Sequence, residues 1–261
     1  MIGVGVVGAA GRMGRTLVAA VVEAEDMTLV AASEREGSPA IGADAGLLAG
    51  IGTTGTRIAP SDFAEADVVI DFTTPATSVA TAEALAPGKA LVVGTTGFCA
   101  DDDARFGALA RERAIVKSGN MSLGINLLAR LVRQAAAALP GADLEVLEMH
   151  HRRKVDAPSG TALMLGHAAA DGRGVALDKT AVYAREGQTG ARPAGTIGFA
   201  NLRGGTVIGE HEVILALDGE RVRLGHIAEN RSLFANGAVV AARWVAGRAP
   251  GLYSMDDVLA G

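Results

Sequence analysis

The stretch IGVGVVGAAGRMG at residues 2–14 reads as a short apolar strand, a glycine turn and the opening of a helix. Residues 2–7 form a continuous apolar run closed by Gly8, the pattern of a strand buried on both faces of a parallel sheet. Gly8, Gly11 and Gly14 then follow the spacing G-x-x-G-x-x-G. One glycine lets the backbone turn sharply, another lets it approach a pyrophosphate, and the last lets helix and sheet pack closely. The anion would meet the helix N-terminus, where unpaired N–H groups and the positive dipole end favour negative charge. Gly8, Ala9, Ala10, Gly11, Arg12 and Met13 are therefore the candidate cradle. Taken alone, the glycine spacing is weak evidence, and a plain strand-to-helix turn is the lesser, competing reading.

Moving outward, a second strand at 28–32 leads to Glu34, which stands 20 positions after Gly14. A carboxylate there holds the adenosine ribose hydroxyls of NAD, and Arg35 beside it is placed to take the 2′-phosphate of NADP. The pair predicts a site that accepts both NADH and NADPH. The competing reading is a solvated charged loop. Further strands are expected at 67–70, 90–93 and 114–117, alternating with helical stretches at 15–25, 77–85 and 101–113. This alternation implies βαβ units and a parallel sheet with ligands at the carboxyl ends of its strands. Gly94, Thr95 and Thr96 end one such strand and Ser118, Gly119, Asn120 and Met121 end the next, so both face the expected nicotinamide side. An ordinary turn accounts for Gly94–Gly97 just as well.

The pattern changes after residue 122. A long helix at 123–139, an alternating strand at 143–149 and a helix at 160–170 precede strand-like runs at 195–200, 206–217 and 221–228. Asp218-Gly219 is a hairpin signal. A last helix over 233–246 is expected to return to the first domain. The fold class is therefore α/β: a Rossmann-type, doubly wound parallel sheet over 1–122, with 231–261 packing back on it as a C-terminal helix, and an α+β domain with a mixed or antiparallel sheet over 123–230.

The second candidate site is the run His150-His151-Arg152-Arg153-Lys154, followed by Asp156, Pro158, Ser159, Gly160 and Thr161. Ser159 or Thr161 can cap a helix whose N–H groups face an anion, which suits a carboxylate-rich small substrate. An extended backbone would put His150, Arg152 and Lys154 on one side. Histidine titrates near neutral pH and serves as acid or base. A solvated basic loop or a subunit contact competes with this reading. His211 and His226, among the later strands, read as structural or surface residues.

Composition narrows the field. The chain has 261 residues, 49% hydrophobic but only 3% aromatic, so its core is aliphatic. A net charge of −5 argues against a general nucleic-acid binder. With one cysteine, Cys99, and no histidine–carboxylate set at ligand spacing, neither a disulfide framework nor a metal site is expected. No run of 18 apolar residues is present, and strand-like sequence begins at Ile2. The expectation is a cytoplasmic protein without a membrane segment.

The chain resembles the 4-hydroxy-tetrahydrodipicolinate reductases (dihydrodipicolinate reductases) of bacterial lysine and diaminopimelate biosynthesis nearly end to end. The resemblance rests on VGAAGRMG at 7–14, SEREGS at 33–38, IDFTTP at 70–75, VGTTGF at 93–98, EMHHRRKVDAPSGTAL at 148–163, REGQTGARPAGTIGFANLRGG at 185–205, GEHEV at 209–213 and RSLFANGAV at 231–239. The HHRRKVDAPSGT stretch is the specific one. The resemblance implies His150 as proton donor/acceptor, Lys154 as second proton donor, and His151, Gly160 and Thr161 as contacts to a small dicarboxylate substrate. It also implies hydride transfer from NADH or NADPH and a homotetramer joined through the second sheet. Two departures stand out: Arg153 replaces a histidine found in well-known members, and Lys117 replaces a commonly neutral residue. The rival readings are another two-domain amino-acid dehydrogenase and a cofactor-sensing regulator. A sensor would have no use for His150 and Lys154.

Overall fold

In a computed structural model describing residues 1–261, the short apolar runs of the first half become parallel strands. β1 (Ile2–Val7), α1 (Arg12–Glu23), β2 (Met27–Ser33), α2 (Ala45–Ala49), β3 (Ile58–Ala59), β4 (Val68–Asp71), α3 (Pro75–Ala84), β5 (Ala90–Val93), α4 (Ala100–Leu109) and β6 (Ala114–Lys117) follow in chain order. Then come α5 (Leu123–Ala138), β7 (Asp143–His150), α6 (Gly160–Arg173), α7 (Leu177–Thr180), β8 (Ala181–Val182), β9 (Ile197–Arg203), β10 (Glu210–Leu217) and β11 (Glu220–Ile227). α8 (Ser232–Val245), β12 (Gly251–Tyr253) and α9 (Met255–Ala260) close the chain. Two units result, Met1–Leu123 with Ser232–Gly261, and Gly124–Arg231.

The first unit holds a seven-stranded sheet in the order β12-β6-β5-β4-β1-β2-β3, with every pair parallel. β1 pairs with both β2 and β4, so the strand order reverses there and opens the crevice in which such sheets bind ligands. The strands are apolar on both faces because helices cover both. Val4, Val6, Ile70, Val92 and Val116 pack with Leu17, Val18 and Val21 of α1 and Ala238, Ala241 and Val245 of α8. On the other face Val7, Val69, Leu91, Val93 and Ile115 pack with Val79 of α3 and Phe106 of α4. Each such side chain taken fully from water contributes about 1.5–3 kcal/mol.

The second unit holds a five-stranded mixed sheet in the order β11-β10-β7-β9-β8. β10 runs antiparallel to β7 and β11, whereas β9 is parallel to β7 and β8. Leu144, Val146, Val213, Leu215, Ile197 and Phe199 form its core with Leu128 and Val132 of α5 and Leu165 and Ala169 of α6. Asp218 and Gly219 make the expected two-residue turn, with Leu217 paired to Glu220 and Gly219 at φ +84°.

Several expected boundaries move. Residues 231–261 are not one helix: α8 is followed by β12, which adds an edge strand beside β6, and by α9. Three residues are too short to carry a periodic signal. α1 starts at Arg12 rather than Arg15, because Gly11 serves as its N-cap. The first strand of the later series runs to Arg203, and the next begins at Glu210 rather than 206. Residues 151–154 are not extended; the chain turns there, with Lys154 N–H donating to His151 O at 3.0 Å. His150, Arg152 and Lys154 therefore do not share a strand face.

Candidate active site

Gly8 takes φ +66°, open to glycine at little cost, and the turn closes with Gly11 N–H donating to Gly8 O at 3.0 Å. A Cβ on Gly14 would stand 2.0 Å from Gly8 O, so only glycine lets α1 approach the end of β1 this closely. α1 has no side-chain cap and no acidic residue in its first turn, which leaves its amino end suited to an anion. This donor set fits a cofactor pyrophosphate. Glu34 reaches back to the same turn, where its Oε1 accepts Ala10 N–H at 3.2 Å, and Ala9 N–H donates to Ser33 O at 3.0 Å. The carboxylate predicted for the ribose thus also braces the cradle. Arg12 and Arg35 are exposed.

The other two loops end β5 and β6, neighbours in the sheet. A Cβ on Gly119 would come within 3.9 Å of Thr96 Cγ2. Thr95 is buried and its hydroxyl faces inward, accepting from Ser78 Oγ at 2.8 Å, so only its backbone is left to line a ligand. Asp71, at the end of β4, accepts Thr73 N–H at 2.8 Å and Thr73 Oγ1–H at 2.6 Å, and ties the β4 and β5 loops together. Met121 is fully buried and its side chain belongs to the core. Ser118 Oγ donates to Asn120 O at 2.8 Å and shapes that loop. Lys117, the charged departure, bonds Asp103 at 2.8 Å and lies 4.3 Å from the Phe98 ring centroid.

In the second unit His150 is the last residue of β7 and is buried. Its Nδ1 lies 2.6 Å from Glu148 Oε2. Glu148 is itself held on both oxygens: Arg203 donates to Oε2 at 2.7 Å and to Oε1 at 2.8 Å, and Ser159 N–H donates to Oε1 at 3.2 Å. Ser159 caps α6 by accepting Ala162 N–H at 3.1 Å, and its hydroxyl bonds His211 Nε2 at 3.1 Å. The His211 ring stands edge-on to that of His150, with centroids 5.0 Å apart. Burial pulls the His150 pKa below the usual imidazole value, against the pull of Glu148 upward. Burial, helped by the nearby His150, takes His211 down to about 4. For Glu148 burial works upward, yet Arg203 and His150 leave it below the ordinary carboxylate range.

The remaining predicted residues lie nearby in the chain and differ in exposure. His151 is half-buried, Arg152 and Arg153 are exposed, and Lys154 pairs with Asp156 at 2.8 Å. Gly160 and Thr161 open α6, so they lie at its positive end. Sequence reading missed Glu148 and Arg203 and took His211 for a structural or surface residue. A signal for Glu148 was present. In DLEVLEMH the inward positions alternate as Leu144, Val146, Glu148, His150, and a carboxylate on an apolar face needs partners.

Comparison with known proteins bears on this arrangement. Residues 2–121 match the family described as dihydrodipicolinate reductase, N-terminus, and residues 124–259 match its C-terminus. A protein called 4-hydroxy-tetrahydrodipicolinate reductase from Rhizobium rhizogenes is 59% identical over 97% of this chain and 95% of its own. One of the same name from Brucella melitensis is 57% identical over 98% of each. Among solved structures, a dipicolinate-bound dihydrodipicolinate reductase from Paenisporosarcina sp. TG-14 superposes with a TM-score of 0.77 at 25% identity, over 98% of this chain and 99% of its own. A probable dehydrogenase from Thermotoga maritima, 13% identical with a TM-score of 0.60 over 98% of this chain and 92% of its own, shares the fold.

Proposed function

The chain belongs to the dihydrodipicolinate reductase family, and from that membership we propose how its own residues divide the work of the reaction. It is an oxidoreductase of lysine and diaminopimelate biosynthesis that reduces 4-hydroxy-tetrahydrodipicolinate with NADH or NADPH. The product, tetrahydrodipicolinate, is the same ring without the 4-hydroxyl, so a hydride and a proton are consumed and water leaves. Bound nicotinamide supplies the hydride.

The chain supplies the rest. Gly8 to Met13 receive the pyrophosphate at the amino end of α1, and Glu34 and Arg35 take the adenosine ribose and its 2′-phosphate. Gly94 to Thr96 and Ser118 to Met121 flank the nicotinamide, Thr95 and Met121 through backbone atoms. Gly160 and Thr161, at the start of α6, with His151, bind the carboxylates of the substrate, a dianion suited to a helix N-terminus. His150 handles the proton, and Lys154 is the second donor. The observation that carries this reading is His150 itself: a buried imidazole at a strand end, bonded to a carboxylate and adjoining the capped helix.

The homotetramer and cytoplasmic location implied by the resemblance belong to the same proposal. The outer face of the second sheet supports the tetramer. It carries Leu147, Met149, Leu202 and Ile227 around a depression of about 560 Å³, with Ile227 65% exposed, an apolar surface of the kind that marks protein contacts. No helix is long and apolar enough to cross a membrane.

The roles are tested with His150→Gln and Lys154→Ala. Each is expected to bind NADPH as the parent does and to lose about 10²–10⁴-fold in kcat, the range of general acid–base catalysis. A His150→Gln enzyme with full turnover removes His150 from the chemistry.

A further inference from the structure

His150 has two ring nitrogens, and their surroundings differ. Behind Nδ1 stands Glu148, a carboxylate 1% exposed, which receives Arg203 on both oxygens and Ser159 N–H on one. These bonds leave the carboxylate ionised and fixed. A carboxylate 2.6 Å from a ring nitrogen accepts, so in neutral His150 the proton belongs on Nδ1 and the lone pair on Nε2. In front of Nε2 stands Gly209. A Cβ at that position would lie 3.1 Å from Nε2 and 3.5 Å from Cδ2. Gly209 has no positive φ, so its backbone does not require glycine. The tight spot is instead the nitrogen edge of His150.

We propose that Glu148 is a positioning residue that selects the tautomer of His150, and that the missing side chain at 209 keeps the reactive nitrogen, Nε2, accessible. Arg203 and the Ser159 N–H hold Glu148 in the one orientation that serves Nδ1. His211 limits ring rotation from the side, with centroids 5.0 Å apart, and is anchored by Ser159, the cap of the helix that carries Gly160 and Thr161. The groups bearing on the titration of His150 are Glu148 on its own strand, Arg203 on β9, His211 on β10 and Lys154 in the turn. Among them Glu148 alone favours the imidazolium. The inference rests on the reading of His150 as the proton-handling group, and the ring-nitrogen measurement below does not depend on that reading.

The test uses the full-length protein with nitrogen-15-labelled histidine. In the parent, the ring shifts of neutral His150 are expected to report a protonated Nδ1 and a bare Nε2. In Glu148→Gln the tautomer preference should be lost, kcat should fall by about 10²–10⁴-fold as when a histidine's orienting carboxylate is replaced, and NADPH affinity should be unchanged. The histidine limb of the kcat profile should also move to lower pH, since the group that favours the imidazolium is gone. If Glu148→Gln does not fold, the parental ring shifts decide the positioning role, since a neutral His150 protonated on Nε2 overturns it. Gly209→Ala, which leaves the Glu148–Arg203 pair intact, tests the accessibility of Nε2. It should keep the parental tautomer and lose at least tenfold in kcat. Unchanged ring shifts in Glu148→Gln overturn the positioning role whatever the activity, and a fully active Gly209→Ala overturns the assignment of Nε2. A His150→Gln protein with normal turnover, by contrast, defeats the proton-handling reading while the ring shifts still decide what Glu148 does.

Discussion

Ala10 N–H donates to Glu34 Oε1 at 3.2 Å, which joins the end of β2 to the glycine turn 24 residues earlier. The carboxylate proposed to read the ribose is thereby also a strut for the glycine turn proposed to hold the pyrophosphate. Glu34→Ala should weaken NADH and NADPH alike, by about 10–100-fold, the value of one hydrogen bond to a charged group. Arg35→Ala should weaken NADPH alone. Fluorescence titration of both variants with both cofactors checks this, and unchanged affinities across all four titrations would remove Glu34 and Arg35 from the site.

Gly14 and Gly107 are both helical glycines and should respond oppositely to alanine. A Cβ on Gly14 would meet backbone, Gly8 O, at 2.0 Å, whereas on Gly107 it would meet nothing within 4 Å. Gly14→Ala should cost about 1–3 kcal/mol or more as overpacking and should impair cofactor binding. Gly107→Ala, in the exposed α4, should stabilise by about 0.5–1 kcal/mol from helix propensity and unfolded-state entropy. Urea unfolding of the two variants gives the signs directly.

Asp71 is buried, and burial raises its pKa against the hydroxyls and N–H that bond it. Its Oδ1 accepts Thr73 N–H and both the Thr73 and Thr95 hydroxyls. Asp71→Ala should loosen the loops after β4 and β5 together and weaken both cofactors by about tenfold, one lost hydrogen bond's worth. Calorimetric titration reads this; parental affinity would reduce Asp71 to a core residue.

His211 should make the protein acid-sensitive in a defined window. Its folded pKa is about 4, against 6.5 ordinarily, because burial and then His150 disfavour its charge. Below pH 6.5 the unfolded chain takes up a proton that the folded one refuses until about 4. The contribution of neutral His211 is thus whole above 6.5 and lost as pH falls toward 4, about 3 kcal/mol in all. His150 and His226 are lowered too and act in the same direction. His211→Gln should flatten the loss measured by urea unfolding between pH 7 and 4; an equal loss in parent and variant contradicts the assignment.

Much of this was legible beforehand, and the reasons differ by element. β1, β4, β5 and β6 were readable because strands buried on both faces are continuous apolar runs. The Asp218-Gly219 turn was readable because a two-residue hairpin demands that chemistry. β3, with two residues, and β12, with three, were not readable, since their pairing is set by neighbours far along the chain. The basic run singled out His150 and Lys154 as candidates, and its polar composition marked a loop. The side-sharing of His150, Arg152 and Lys154 assumed an extended backbone, however, and residue types alone do not reveal the turn that Lys154 N–H closes on His151 O. Glu148 and Arg203 lie 55 residues apart. Only the parallel pairing of β7 with β9, which sets His150 opposite Arg203, brings them together.

The most direct test of the whole account is the reaction. 4-Hydroxy-tetrahydrodipicolinate, generated freshly in the cuvette, is mixed with the protein and NADPH, then separately with NADH, and the reduced nicotinamide absorbance is followed. The account predicts protein-dependent oxidation of both cofactors, one mole per mole of substrate, and none when substrate is omitted. Persistence of the absorbance with both cofactors, from protein that binds them, would contradict it.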